Sequence, residues 1–270
     1  MNVQNKGSKT PLYKSHILLR AMMALCVAGI VLFGVLLICS NREYLKGDAV
    51  YDQVKLALRN DSTEMKERTE SVGDEASKMS SKMDFVTLKE INDDVVGWIF
   101  AEGSSIDYPV VLGEDNEYYL SHLFNRERNK LGSLFMDYRN NGYFSDKNTV
   151  IYGHNMKDGS MFSSLTKYKD QSYYDSFPTM GLYTPDGNFT IELFAGIVSD
   201  GNYEFVRFKF ADDVDFQGYI NSLKGKSTFE SNTVVKPDDR IITLCTCSYE
   251  FNNARYALYG KLTPISLPVR

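Results

Sequence analysis

Cysteine is scarce in this chain of 270 residues: there are four, Cys26, Cys39, Cys245 and Cys247. Their spacing offers no paired framework of the kind that staples small secreted domains. No CxxC, HExxH or GxxxxGK[ST] run occurs, so the common dithiol, zinc-hydrolase and phosphate-cradling motifs are excluded. Gly113-Glu114-Asp115-Asn116 begins like a calcium loop but lacks the later ligands, and neither a metal nor a cofactor is expected. Basic stripes are missing too, which argues against a nucleic-acid partner. Histidine is rarer than cysteine, with three residues, so any imidazole chemistry has few places to reside.

The N-terminal tract lacks charge of one sign. No acidic residue precedes Glu43, whereas Lys6, Lys9, Lys14 and Arg20 stand before an uncharged run of 19 residues, Ala21–Cys39. As a helix that run spans ~28 Å, close to the ~30 Å thickness of the bilayer hydrocarbon. A cleaved signal would carry an apolar region of about 7–15 residues and a small-residue cleavage site. Bulky Ile38 before Cys39 also argues against a lipoprotein anchor. Residues 21–39 therefore read as an uncleaved transmembrane anchor. The positive-inside rule leaves residues 1–20 cytoplasmic and everything after Asn41 extracytoplasmic. Residues 1–42 carry five of the 30 Lys+Arg and none of the 35 Asp+Glu, leaving the remainder at 25 against 35, net −10. Solubility outside the cell suffices to explain that charge.

Within Glu43–Asn60, Val50, Val54 and Leu58 recur at helical spacing and predict a short amphipathic helix. Residues 61–82 contain ten charged residues among 22 and no aromatic, a composition that cannot build a core. Residues 40–84 thus read as a helical or spacer segment. Phe85–Asn92 predicts the helix that enters a domain running over 85–270. From Gly97 onward, apolar runs alternate with turn signals: Trp98–Ala101, Ile106–Val111, Ser133–Met136, Thr149–Tyr152, Gly181–Tyr183, Phe189–Val198, Ile241–Cys247 and Tyr256–Leu262. Eight short strands with mostly local connections predict a mainly β fold, closed or nearly closed into a barrel. Met161–Tyr168 and Asp212–Leu223 predict peripheral helices, the second with Val214, Tyr219 and Leu223 on one face.

Chemistry gathers at three strand ends. The polar segment Ser248–Asn253 reads as a hairpin loop, so Cys247 ends one strand and Arg255 lies near the start of its antiparallel neighbour. Thr149–Tyr152 runs out into Gly153-His154-Asn155. A thiol near its reference pKa of ~8.5 is only a few per cent ionised at neutral pH and needs a base or cation beside it. His154 is the imidazole placed to serve, because His16 precedes the apolar run and His122 falls in the helical-looking stretch Glu117–Phe124. Arg255 brings a permanent planar charge that can stabilise an oxyanion. Cys245 lies two residues before Cys247 on the same side of the strand and reads as a packing residue. Cys247, His154 and Arg255 together predict a thiol acyl-transfer site.

Thr243-Leu244-Cys245-Thr246-Cys247 resembles the TLxTC signature of the sortases, cysteine transpeptidases of Gram-positive cell walls. Asn92–Ile99, Ile106–Val111, Gly132–Asp137 and Val150–Met156 are similar to successive blocks of the class B catalytic domain. The match spans about Phe85 to Leu262, in family order. It implies an eight-stranded sortase-type barrel with a long helix between the sixth and seventh strands. Cys247 would be the nucleophile, His154 the general acid and then base, and Arg255 the catalytic arginine. Asn92 and Thr246 match substrate-binding positions. The implied reaction cleaves a C-terminal sorting motif of secreted proteins through a thioester, then transfers them to the amine of a peptidoglycan precursor, lipid II, at the cell membrane. One position departs from the pattern: some class B members have an acidic residue directly after the cysteine, where this chain has Ser248, with Glu250 two further on. A hydrolytic cysteine endopeptidase would use the same Cys–His pair, but papain-like enzymes complete it with Asn or Asp rather than Arg. A catalytically silent surface module would have no use for all three side chains.

Overall fold

A computed structural model describes residues 12–64, 83–201 and 206–265. The first eleven residues and 65–82, most of the stretch read as a spacer, lie outside them. The chain divides into two compact units, Met1–Lys46 and Gly47–Arg270. Helix α1 (Leu12–Glu64) begins in the first unit. There its large apolar side chains, from Leu19 to Ile38, are exposed, and the helix is long and apolar enough to cross a membrane.

In the second unit, α1 buries Tyr51, Val54 and Leu58, three and four residues apart and so on one face. The short helix expected over Glu43–Asn60 is therefore part of a longer one. Tyr51 is buried where the apolar pattern pointed to Val50, which is only half-buried. Helix α2 (Phe85–Ile91) starts where the Asp84 carboxylate accepts the Val86 amide at 2.8 Å and also caps Thr87, satisfying donors that a helix start leaves open.

Strands β1 (Val95–Phe100), β2 (Asp107–Leu112), β3 (Leu134–Met136), β4 (Asn148–Tyr152), β5 (Thr179–Thr184), β6 (Gly187–Asp200), β7 (Ile241–Cys247) and β8 (Ala254–Pro264) form the sheet. It closes into a barrel in the order β1-β2-β3-β4-β7-β8-β6-β5. The β2–β3 and β4–β7 pairs are parallel and the rest antiparallel. Fully buried Val110, Leu134, Ile151, Leu182, Leu244 and Leu258 come from six different strands, so barrel closure and core burial are one event. Each large apolar side chain fully buried this way contributes roughly 1.5–3 kcal/mol relative to exposure.

Helix α3 (Gln171–Ser176) and helix α4 (Asp213–Gly225) lie outside the sheet. Helix α4 packs Phe216, Tyr219, Ile220 and Leu223 with Phe194, Ala257 and Tyr259 of the barrel. Val214, expected on that inward face, is 80% exposed; Phe216, two positions on, takes the inward direction instead. The helix expected over Met161–Tyr168 is a 3-10 segment, Ser163–Lys169. Of the helical-looking Glu117–Phe124, one 3-10 turn, Tyr118–Leu120, is formed.

Candidate active site

Two pairings set the geometry of one barrel rim. Because β4 and β7 are parallel, with Tyr152 opposite Cys245, both strands leave the sheet in the same direction. The ladder continues one step past β4, where the Gly153 amide donates to the Cys245 carbonyl at 3.1 Å. Strands β7 and β8 are antiparallel and place Cys247 directly opposite Arg255. The Ser248 amide donates to the Ala254 carbonyl at 2.8 Å, so the Cys247–Arg255 pair falls at a non-hydrogen-bonded position, where facing side chains come closest. The thiol and the guanidinium share one face of a two-strand ribbon, and His154 follows the neighbouring strand at the same end.

Glycine before His154 answers a packing need. A Cβ on Gly153 would meet Leu134 Cδ2 at 2.4 Å and Phe162 Cδ2 at 2.7 Å. The His154 carbonyl accepts the Phe162 amide at 2.9 Å, and its ring Nε2 lies 2.7 Å from the Leu120 carbonyl oxygen. A carbonyl can only accept, so Nε2 carries the proton in this contact and Nδ1 is the ring nitrogen that the Leu120 carbonyl leaves unengaged. His122 is otherwise occupied. Its ring stacks on Tyr118 at 4.0 Å between centroids, and its Nδ1 sits 2.7 Å from the Tyr118 carbonyl.

The two neighbouring thiols differ sharply. All four cysteines are free; Cys245 is buried and Cys247 is partly exposed. Burial pushes the Cys245 thiol up to about 12, although the charge of Arg255 works against the rise. A thiol held neutral in this way is inert, as expected of a packing residue. Arg255 is half-buried, and its Nη1 donates to the Ala254 carbonyl at 3.1 Å.

Thr246 and Asn92 have their polar groups engaged within the protein. Thr246 is 2% exposed and its hydroxyl donates to the Gly153 carbonyl at 2.8 Å, tying β7 to the backbone just before His154. Asn92, also 2% exposed, caps the end of α2. Its Nδ2 donates to Tyr119 Oη (2.9 Å) and the Phe124 carbonyl (2.8 Å), and its Oδ1 accepts the Asp94 amide (3.0 Å). The structure thus brings Cys247, His154, Arg255 and Thr246 to one rim and sets Asn92 behind the Tyr118–Leu120 turn.

Two residues that sequence reasoning passed over complete the rim. Asn155 donates from Nδ2 to the Cys247 carbonyl at 2.9 Å; its adjacency to His154 was the available signal. Lys169, at the end of the 3-10 segment, donates to Ser248 Oγ at 2.8 Å and is paired with the Glu250 carboxylate, to which Ser248 Oγ also donates. Burial raises the Glu250 carboxyl, but Lys169 and Ser248 outweigh it and hold the group down to about 2. An acid three residues after Cys247 is therefore tied into the β7–β8 loop. Among the described residues, no group of three or more His, Cys, Asp or Glu side chains stands where it could hold a metal ion.

No protein-family model matches the chain. Among curated proteins it is 41% identical over 177 residues to Sortase B of Listeria monocytogenes, covering 65% of this chain and 72% of that protein. It is 35% identical over 184 residues to Sortase B of Staphylococcus aureus, covering 67% of this chain and 75% of that one. Among solved structures it resembles a Staphylococcus aureus sortase B–substrate complex with a TM-score of 0.71 and 31% identity, over 83% of this chain and 99% of the other.

Proposed function

This chain belongs to the class B sortases, and from that premise we propose that it is a membrane-anchored cysteine transpeptidase that joins secreted proteins to a peptidoglycan precursor. Residues 1–20 would lie in the cytoplasm, 21–39 would cross the membrane, and 40–84 would precede the catalytic domain, 85–270, on the outer side. The Cys247 thiol passes its proton to His154 Nδ1, and the resulting thiolate attacks the threonine carbonyl of a C-terminal sorting motif. Arg255, across the ribbon, donates to the oxygen as negative charge builds on it. His154 gives a proton from Nδ1 to the departing amine, the C–N bond breaks, and a thioester remains on Cys247. An amine of lipid II then attacks the thioester and His154 takes up its proton. The new amide bond forms as the Cys247 thiolate leaves. Thr246 and Asn92 border the substrate groove in the family pattern. In this chain their internal hydrogen bonds support a contribution through the placement of Gly153 and of the Tyr118–Leu120 turn.

The observation that carries this reading is the register: Cys247 pairs with Arg255 across β7–β8, while parallel β4 delivers His154 to the same rim. The test is product partition with a sorting peptide and a small amine acceptor, followed by mass spectrometry. Transpeptidation predicts that joined product rises at the expense of hydrolysed product as amine is added. Hydrolysis alone, at high concentration of every amine tried, would favour a cysteine endopeptidase.

A further inference from the structure

We infer that Tyr51, on helix α1, is a positioning residue for His154, an inference that rests on reading His154 as the proton carrier. The connection runs through Gly132. Tyr51 is 3% exposed and its hydroxyl donates to the Gly132 carbonyl at 2.6 Å, with Ser133 Oγ 3.2 Å away. Gly132 has φ +60°, and a Cβ there would stand 2.6 Å from the Tyr119 carbonyl oxygen and 2.9 Å from that of Leu120. The Leu120 carbonyl is the group that holds His154 Nε2. Ser133 fastens the same layer, donating its amide to the Tyr119 carbonyl and its hydroxyl to the His122 carbonyl, each at 2.9 Å.

A second route reaches the other flank of His154. The Tyr51 ring meets Tyr108 edge-on at 5.0 Å. Tyr108 Oη accepts the Met161 amide at 3.3 Å, and Met161 is bridged to Asn155, the residue after His154. Lys55, one turn on from Tyr51, pairs with Asp107 at 3.2 Å and lies over the Tyr108 ring. One tyrosine of α1 therefore braces both sides of the segment carrying His154. Removal of its hydroxyl frees the Gly132 carbonyl and slackens the Leu120 contact that fixes the imidazole tautomer.

The test uses the full chain in detergent micelles. Tyr51→Phe removes one hydroxyl; Val54→Ala removes packing from the same helix face and touches no hydrogen bond. Tyr51→Phe is expected to lower kcat about tenfold with KM little changed, the consequence of a misplaced reacting group, and to displace the limb of the kcat–pH profile that His154 governs. Val54→Ala is expected to lower the melting temperature while leaving kcat and the profile as in the parent. Equal kcat and an unmoved profile in Tyr51→Phe, or parallel losses in both variants, would overturn the inference. Should Tyr51→Phe melt too low to assay at the working temperature, the same comparison is made at a lower temperature at which it stays folded, and an equal kcat with an unmoved profile there would overturn it equally. The parent chain and Cys247→Ala run alongside; absence of Cys247-dependent turnover in the parent would show instead that the transpeptidase reading had failed and taken this inference with it.

Discussion

The two halves of the rim are assembled by opposite means. Cys247 and Arg255 face each other because a six-residue loop, 248–253, turns β7 back into β8, a local event needing little beyond the hairpin. His154 is placed from a distance. Beside the local contact to Phe162, it is held by Leu120, 34 positions away, and its flanking Gly153 and Asn155 bond to the strand carrying Cys245 and Cys247, more than 90 positions away. Tight positioning of His154, the proposed proton carrier, thus depends on packing across the domain, whereas the Cys247–Arg255 pair is encoded in one hairpin. The same difference marks the two thiols of β7: Cys245 faces packed interior, and Cys247 lies where the strand leaves it.

The largest break is expected at the thiols themselves. Cys247→Ala should abolish peptide turnover, while Cys245→Ser keeps most of it; loss confined to the Cys245 variant would reverse the assignment. Next comes the cation of the hairpin. Arg255→Ala should cost on the order of 10²-fold in turnover with an unchanged melt, and Arg255→Lys nearly as much, because a point charge cannot replace a planar fork. Near-parental turnover in Arg255→Ala would reduce the local half of the rim to a Cys–His pair.

On the long-range side, Gly153→Ala probes placement by packing. The added methyl collides with Leu134 and Phe162, so it should destabilise the fold by about 1–3 kcal/mol and lower turnover roughly tenfold through a shifted His154. A melt and a steady-state assay on the same sample separate the two effects. The smallest effect is expected at Lys169, which clamps the β7–β8 loop from outside. Lys169→Met should cost roughly threefold in turnover, in keeping with a half-exposed ion pair. The folded Glu250 carboxyl is held at about 2 against an ordinary 4.5. The clamp is therefore fully present above about pH 4.5 and is lost as pH falls through about 2, so the Lys169→Met ratio should stay flat across neutral and mildly acidic pH.

Local pattern alone makes the hairpin readable. Two apolar runs flanking Ser248–Asn253 define both strands and the opposition of Cys247 to Arg255. The eight strands are legible for the same reason, since alternation of apolar runs with turn signals is a property of short windows. What escapes such windows is non-local. Tyr51 carries no period-based mark that sets it above Val50; its burial follows from a carbonyl at Gly132, 81 positions away. Lys169 reads as a solvated charge until Ser248 and Glu250 arrive beside it. Gly153 looks like turn chemistry, and only the approach of Leu134 and Phe162 discloses a steric reason. Asn92 stands out by motif, yet its amide serves Tyr119, Phe124 and Asp94.

Closure of the barrel carries a consequence for recognition. Every one of the eight strands has two neighbours, so no whole strand edge is vacant for an extended peptide, although β6 beyond Glu192 pairs with β8 alone. Strand addition tolerates many sequences, because main-chain groups supply most of the affinity. Around the rim itself, a guest would meet the side chains of Cys247 and Arg255, which face each other across β7–β8, and the loop that follows β4. On the proposed function, recognition of this kind predicts that turnover discriminates among peptide sequences rather than tolerating many.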